Sequence, residues 1–453
     1  MKRRHFIGTV LAAGIPGARA ASARVTRQTT TLQPCTFQRL PDTLAGMSLQ
    51  QLRDDYRDRL FNRYLPFWDK GGYDKQLGGF MCELNDDGSV FSDEKYIWYQ
   101  GRGIWVYSFL YNNFGRDPRF LKIAEKSKDF MVGHMYAGNG KWFEKVRRDG
   151  TVMEGGVGKV VYGWLFAAAG LCEFYKATRD QKVLALAKES IWSAVRAYDD
   201  PDYAHGDVTH IGVETPKKGL RFQGHSMVLI RILSQLLSYH DDPRLEKLQR
   251  EQVKLVMNKF WNPEYGIVNE CLQHDYSRIP GTEAHMFAGH SLETQWMIMV
   301  DALRTKDRVL FRKAKDRVRR LLEICWDYLF EGWADEDFFA VDTPEHRRGP
   351  TYEIKTMWAQ CEVLVACMMI LEYTGEVWAK EWYERARAFT LRTMPVEGHG
   401  VWRQAVDRRG KNIKREGISS KRKGNFHQPR MMMLNLLSLE RMIANRDKCT
   451  PFP

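Results

Sequence analysis

The chain has 453 residues, 44% of them hydrophobic and 12% aromatic, with a formal net charge of +13. That is ample apolar material for a large core, and past residue 25 no apolar run reaches the roughly 18 residues that span a bilayer. Much of the basic excess lies between Trp402 and Phe426, where nine Lys and Arg face Asp407 and Glu416. A run of this kind reads as a solvated face, and without a helix-turn-helix, zinc module or stacking sheet beside it nucleic-acid binding drops out.

The N-terminus, "MKRRHFIGTVLAAGIPGARAAS", has a basic start, a modest apolar run and a small-residue site at "ARA". Residues 1–22 read as a signal peptide. Adjacent Arg3 and Arg4, followed by Phe6 and Ile7, give it a twin-arginine character; an ordinary Sec signal is the alternative. The expected location is periplasmic or secreted, with no membrane anchor after cleavage, and Lys2, Arg3, Arg4 and Arg19 leave with the leader. Eight cysteines are scattered singly and none forms CxxC. Cys35 and Cys449, in the two tails, are candidates for pairing in an exported chain.

From residue 45 to 446 helical periodicity dominates and no linker intervenes. The pattern predicts helices at 48–66, 99–114, 118–136, 157–177, 180–198 and 223–239. Six more follow at 243–259, 286–304, 307–330, 353–374, 377–393 and 427–445. They alternate in character. "VVYGWLFAAAGLCEFY" and "WAQCEVLVACMMILEY" are apolar nearly all round and should be buried, whereas "PRFLKIAEKSKDFM" and "KDRVLFRKAKDRVRRLLEIC" are amphipathic and should lie outside. Six such pairs, about 60 residues apart, predict an all-α fold, an (α/α)6 barrel or six-hairpin toroid. Turn signals in "ELNDDGSVF", "VRRDGTV" and "VDRRGKNI" predict short β-hairpins on one rim.

The starts of four inner helices carry chemistry. The second offers Gln100, Arg102 and Trp105; the eighth His290, Glu293 and Trp296; the tenth Trp358 and Glu362; the twelfth His427 and Arg430. Each has a bland reading: His290 and Glu293 share a helical face anyway, Glu362 fits a structural ion pair, and the arginines could cap carbonyls. Their convergence on one rim beside aromatics favours a small-molecule site, with Gln100, Trp105, Trp296 and Trp358 as its binding wall. No HExxH, clustered metal ligands or P-loop is present, so neither a metal nor a cofactor is expected.

At these residues the chain resembles a known family. "KYIWYQGRGIWVYSFLYN", "AGHSLETQWMI", "MWAQCEVLVA" and "GNFHQPRMMMLNLL" resemble the signature segments of the N-acylglucosamine 2-epimerase family, in order, over about residues 50–445. The resemblance implies an (α/α)6 barrel and interconversion of sugars at C2 without a cofactor. By motif it implies catalytic roles for Arg102, His290, Glu293, Glu362, His427 and Arg430. Three features depart from the family pattern. Ala359 and Gln360 replace a proline and a polar residue after Trp358. A third histidine of the free-sugar members falls at Met227, with His225 two residues early. An export signal is present in a mostly cytosolic family.

The proton at C2, alpha to an aldehyde, needs a base on one face and an acid on the other, and two histidines suit both tasks near neutrality. The expected partner is a small sugar of N-acylglucosamine type or a relative, bound by a monomer or homodimer. The rivals are an aldose–ketose isomerase, an (α/α)6 glycoside hydrolase or lyase using Glu293 and Glu362, and a non-catalytic sugar-binding toroid.

Overall fold

The computed structural model describes residues 39–158, 161–204, 218–334, 337–339, 354–413, 421–446, 448–450 and 452. The expected leader at 1–22 and Cys35 lie outside them. Among the described residues there are twelve long helices. They are α1 (Leu49–Arg57, continued in wider turns through Gly72), α2 (Ile97–Asn113), α3 (Pro118–Met135), α4 (Tyr162–Thr178), α5 (Gln181–Asp199) and α6 (Gln223–Leu236). The second half holds α7 (Pro243–Lys254, running on to Phe260), α8 (Ala288–Thr305), α9 (Arg308–Cys325), α10 (Met357–Thr374), α11 (Val377–Thr393) and α12 (His427–Ala444). No described helix is long and apolar enough to cross a membrane.

The even-numbered helices form a ring: α2 packs on α4, α4 on α6, and so on to α12, which returns to α2. Each odd-numbered helix lies outside, against an inner neighbour; the last pair joins α12 to α1, the first helix of the chain. This is the expected (α/α)6 barrel. Side-chain chemistry sorts the layers. On α9 only one stripe is buried, from Phe311 through Ala314, Val318 and Leu321 to Cys325, whereas α10 is buried on nearly every side.

The two layers also begin differently. Outer helices α3, α5, α7 and α9 are capped by Asp117, Asp180, Asp242 and Asp307, whose carboxylates accept from first-turn N–H groups. All six inner helices start without a side-chain cap, and four of the six N-cap residues, Tyr96, Phe222, Phe287 and Thr356, are the last residues of short strands. Their positive dipole ends are left facing the mouth of the barrel.

Short antiparallel pairs build that mouth. Glu83–Leu84 pairs with Val90–Ser92 across the expected "DDGS" turn, and Ile354–Thr356 pairs with Ala405–Asp407 ahead of the "RRGK" turn. Two inner helices are fastened to these loops by the same device. Before α2, buried Lys95 donates to Asp74 at 3.0 Å and to the Gly78 and Arg148 carbonyls, while Arg148 donates to Asp74 at 2.8 Å. Before α10, buried Lys355 donates to Asp327 at 3.0 Å and to the Glu331 and Arg408 carbonyls, while Arg408 donates to Asp327 at 2.9 Å. Burial opposes the Asp327 charge, but Arg408 and Lys355 hold its carboxyl down to about 2.

The expected helix at 307–330 stops at Cys325. There Trp326 bridges to Trp333, and the Asp327 carboxylate accepts from the Leu329 and Phe330 N–H groups, turning the chain into a loop instead of a further helical turn.

Candidate active site

The inner ring encloses a cavity of about 310 Å3 at the N-terminal ends of its helices. Every inner helix contributes a residue of its first two turns: Trp98 and Arg102, Tyr162, Met227, His290, Trp358 and His427. Two glycines make the convergence possible. A Cβ on Gly289 would lie 2.2 Å from the Trp358 ring, and one on Gly224 would lie 1.9 Å from the Tyr162 hydroxyl and 3.0 Å from His290.

His427, the first residue of α12, places Nδ1 2.8 Å from Glu362 Oε1 and 3.2 Å from Arg430 Nη2. Glu362 comes from α10 and is fully buried. Its other oxygen accepts from Trp296 Nε1 at 2.9 Å, and Arg430 Nη2 stands 2.7 Å from Oε1. Arg430 also donates to Glu293. Burial first, then the Arg430 guanidinium, push the His427 imidazole well below its ordinary 6.5. Burial also opposes the Arg430 charge, but Glu362 and Glu293 more than restore it.

His290, in the first turn of α8, places Nδ1 3.0 Å from Glu270 Oε1. Burial works to lower its pKa, and the Glu270 carboxylate reverses this, so His290 titrates above 6.5. The two imidazoles flank one indole: the Trp358 ring centroid lies 5.6 Å from His290 and 5.4 Å from His427. A proton on each Nδ1, donated to the carboxylate behind it, leaves each Nε2 lone pair or proton for the cavity.

Arg102 lies over the Phe166 ring at 4.0 Å and the Phe426 ring at 5.1 Å. Its Nε has no hydrogen-bond partner among the described residues, and burial lowers its pKa to about 10, leaving it charged at neutrality. Glu293, Glu362 and His427 offer three ligand atoms within 4.8 Å of one another, a spacing that suits a metal ion. The Arg430 head already stands among them as the cation, so these residues do not fit a resident metal.

The structure therefore brings Arg102, Trp105, His290, Glu293, Trp358, His427 and Arg430 to one cavity wall, with Glu362 immediately behind it. Two expected binding residues lie elsewhere. The Gln100 amide is used on the backbone, accepting from Phe80 N–H and donating to the Phe80 carbonyl, as Gln360 does with Trp333. Trp296 is fully buried and reaches Glu362, not the cavity. Met227 lines the cavity, whereas His225 is buried between the Tyr162 and Tyr198 rings, its Nε2 3.0 Å from the Tyr203 hydroxyl. Sequence reasoning missed Glu270, Tyr162, Arg231 and Arg422, all of them at or directly behind the same wall.

Fold and cavity define a class: an all-α barrel with a cation-rich pocket for a small polar molecule at the mouth of its inner helices. Residues 78–427 match the family described as N-acylglucosamine 2-epimerase (GlcNAc 2-epimerase). The N-acylglucosamine 2-epimerase of Mus musculus is 24% identical over 391 residues, covering 82% of this chain and 88% of that protein. The cellobiose 2-epimerase of Bacteroides fragilis is 21% identical over 374 residues, 78% of this chain and 90% of that one. Among solved structures, cellobiose 2-epimerase from Bacillus thermoamylovorans B4167 shares the fold with a TM-score of 0.72 at 18% identity, over 86% of this chain and 99% of that chain. The chain belongs to the N-acylglucosamine 2-epimerase family and is by class an isomerase, a carbohydrate 2-epimerase.

Proposed function

We propose that the protein inverts C2 of an aldose of N-acylglucosamine type or a close relative, using His427 as base and His290 as acid. In the open-chain sugar, neutral His427 Nε2 takes the C2 proton. The electron pair moves into a C1–C2 double bond and the aldehyde oxygen becomes an oxyanion, met by the Arg102 guanidinium, whose Nε has no hydrogen-bond partner among the described residues. Charged His290 then protonates C2 from the opposite face, the pair returns to C2, and the aldehyde re-forms. Glu362 and Glu270 hold the two rings and fix which nitrogen faces the sugar.

The observation that carries this reading is the opposite displacement of two imidazoles lining one cavity, the pattern by which an acid and a base are told apart. A hydrolase would need two carboxyl groups acting separately, about 5 to 9.5 Å apart. Here Glu293 and Glu362 are both tied to Arg430, which favours the isomerase. Between epimerase and aldose–ketose isomerase, Met227 favours the epimerase, because a thioether cannot donate a proton to C1. The test is a panel of aldoses in deuterated water. Label at C2 with inversion is expected; label at C1 with ketose as the main product would replace this reading with the isomerase.

Export is proposed from the residue types at 1–22. A fusion of residues 1–25 to a reporter should reach the periplasm, and Arg3→Lys with Arg4→Lys should block it if the route is twin-arginine.

A further inference from the structure

The floor of the cavity holds a guanidinium whose Nε has no hydrogen-bond partner among the described residues. Arg231 lies on α6, one turn beyond Met227 and one turn before Gln235, and lines the cavity. Its guanidinium sits over two indoles, 5.7 Å from the Trp105 centroid and 5.4 Å from that of Trp296. Burial lowers its pKa to about 10, so it stays charged at neutrality.

Glu173, Glu293 and Glu362 favour its charge from a distance, but among the described residues each of these carboxylates makes its hydrogen bonds to other groups. Glu293 and Glu362 are both held by Arg430. Gln235 accepts from Trp105 Nε1 at 3.0 Å and donates to Glu173, which also accepts from Asn112 at 2.7 Å. A buried cation in an aromatic setting is costly unless something pairs with it. A sugar hydroxyl supplies a hydrogen bond but no charge. A carboxylate supplies both, and its two oxygens match the guanidinium fork. The uncapped N-termini of six inner helices add to the positive field at this end of the barrel.

Depth says where on the substrate that carboxylate lies. Arg231 is eight residues into its helix, about 12 Å of axial rise, whereas His290 is two residues into α8 and His427 opens α12. A helical side chain leans back towards its helix's N-terminus, so Arg231 reaches the cavity from below the histidines. With C2 between His290 and His427, Arg231 faces whatever group of the substrate lies deepest in the cavity. We propose that the substrate is an acidic sugar, an aldose of the hexuronic class, whose terminal carboxylate pairs with Arg231. This rests on the C2-epimerase reading above and specifies its substrate.

The experiment measures deuterium incorporation at C2 for glucuronate, mannuronate and N-acetylglucosaminuronate beside the matching neutral sugars, with wild type and Arg231→Gln. In wild type, kcat/KM should be at least tenfold higher for the acids. Arg231→Gln should lower kcat/KM for the acids by about ten- to hundredfold, the range of one charge-assisted hydrogen bond, chiefly through KM, and should remove the preference. Equal or better exchange with neutral sugars in wild type would overturn the proposal while leaving the epimerase intact, whether or not the variant folds. An equal loss on both sugar classes in a folded variant would also overturn it. No exchange with any sugar would sink the epimerase reading and this inference together. Hexose 6-phosphates serve as a further arm: a preference for them over the uronates would overturn the assignment to a carboxylate.

Discussion

The His290 and His427 corners are built from the same parts and end in opposite electrostatic states. Each imidazole starts an inner helix, rests on a carboxylate through Nδ1 and shares the Trp358 wall. What differs is the third group. Behind His427, Arg430 stands within 3.2 Å of the ring and ties up both Glu362 and Glu293, so the carboxylate beside the imidazole is already matched by a cation. Behind His290, among the described residues, Glu270 is hydrogen-bonded to no such cation and its second oxygen lacks a hydrogen-bond partner. A carboxylate raises an imidazole's pKa only when its charge is not already satisfied.

Removing one corner is the most drastic way to break this comparison. His427→Asn should fold normally and lose turnover by at least about a hundredfold, the scale of a positioned acid–base group. Steady-state kinetics with a thermal melt checks it; near-wild-type turnover would reduce His427 to a structural residue. Moving the shared wall should cost less. Gly289→Ala puts a Cβ 2.2 Å from the Trp358 ring, and the rigid indole must shift between the histidines. A loss of about ten- to hundredfold in kcat is expected, since displacement of this order misaligns reacting groups.

A finer cut alters one pKa and leaves both rings in place. Activity requires neutral His427, so it should fall on acidification through a pKa well below 6.5. It also requires charged His290, so it should fall on alkalinisation through a pKa above 6.5. The plateau of kcat/KM is therefore wider than two ordinary imidazoles would give. Glu270→Gln removes the charge that raises His290 and leaves burial, which lowers it. The alkaline limb should move to lower pH, so that the loss relative to wild type grows as the pH rises, while the acid limb stays where it is. Movement of the acid limb instead would reverse the assignment of acid and base.

Much of this site could be read from spacing, and its errors trace to helical geometry. Arg102, His290, Glu293, Glu362, His427 and Arg430 were legible because polar residues at the mouths of apolar helices stand out. Gln100 and Trp296 were assigned to the cavity by proximity in sequence alone. Gln100 is two residues from Arg102, about 200° around the helix, and so turns to Phe80. On α8 the cavity face runs His290, Glu293, Met297, the i, i+3, i+7 spacing, and Trp296 falls beside that stripe. Glu270 was hidden for another reason: it lies between two short strands, where no periodicity marks it, and only tertiary pairing brings it to His290. Arg231 was hidden inside "VLIRILSQL", where an arginine reads as a solvent-facing residue of an amphipathic helix.

The smallest expected effect comes from adding a third imidazole to the two corners. Epimerisation and aldose–ketose isomerisation share one enediolate, so His290 and His427 do not decide between them. The outcome depends on whether a donor reaches C1. The register that would have carried His225 into the cavity is absent: its ring is stacked on Tyr162 and Tyr198, and Met227 occupies the cavity wall. Met227→His replaces a thioether with a group that can carry a proton, one helical turn above Arg231. The new ring lies near charged groups and its desolvation disfavours the protonated form, so it will be a weak donor near neutrality. Ketose should rise from a trace to a few per cent of product, with deuterium appearing at C1 and little change in total turnover. Product analysis by NMR in deuterated water reads both. If the variant makes no ketose and its C2 exchange is intact, then donor access at C1 is not what separates the two reactions here, and the choice lies in how the substrate's C1 is held against Arg102.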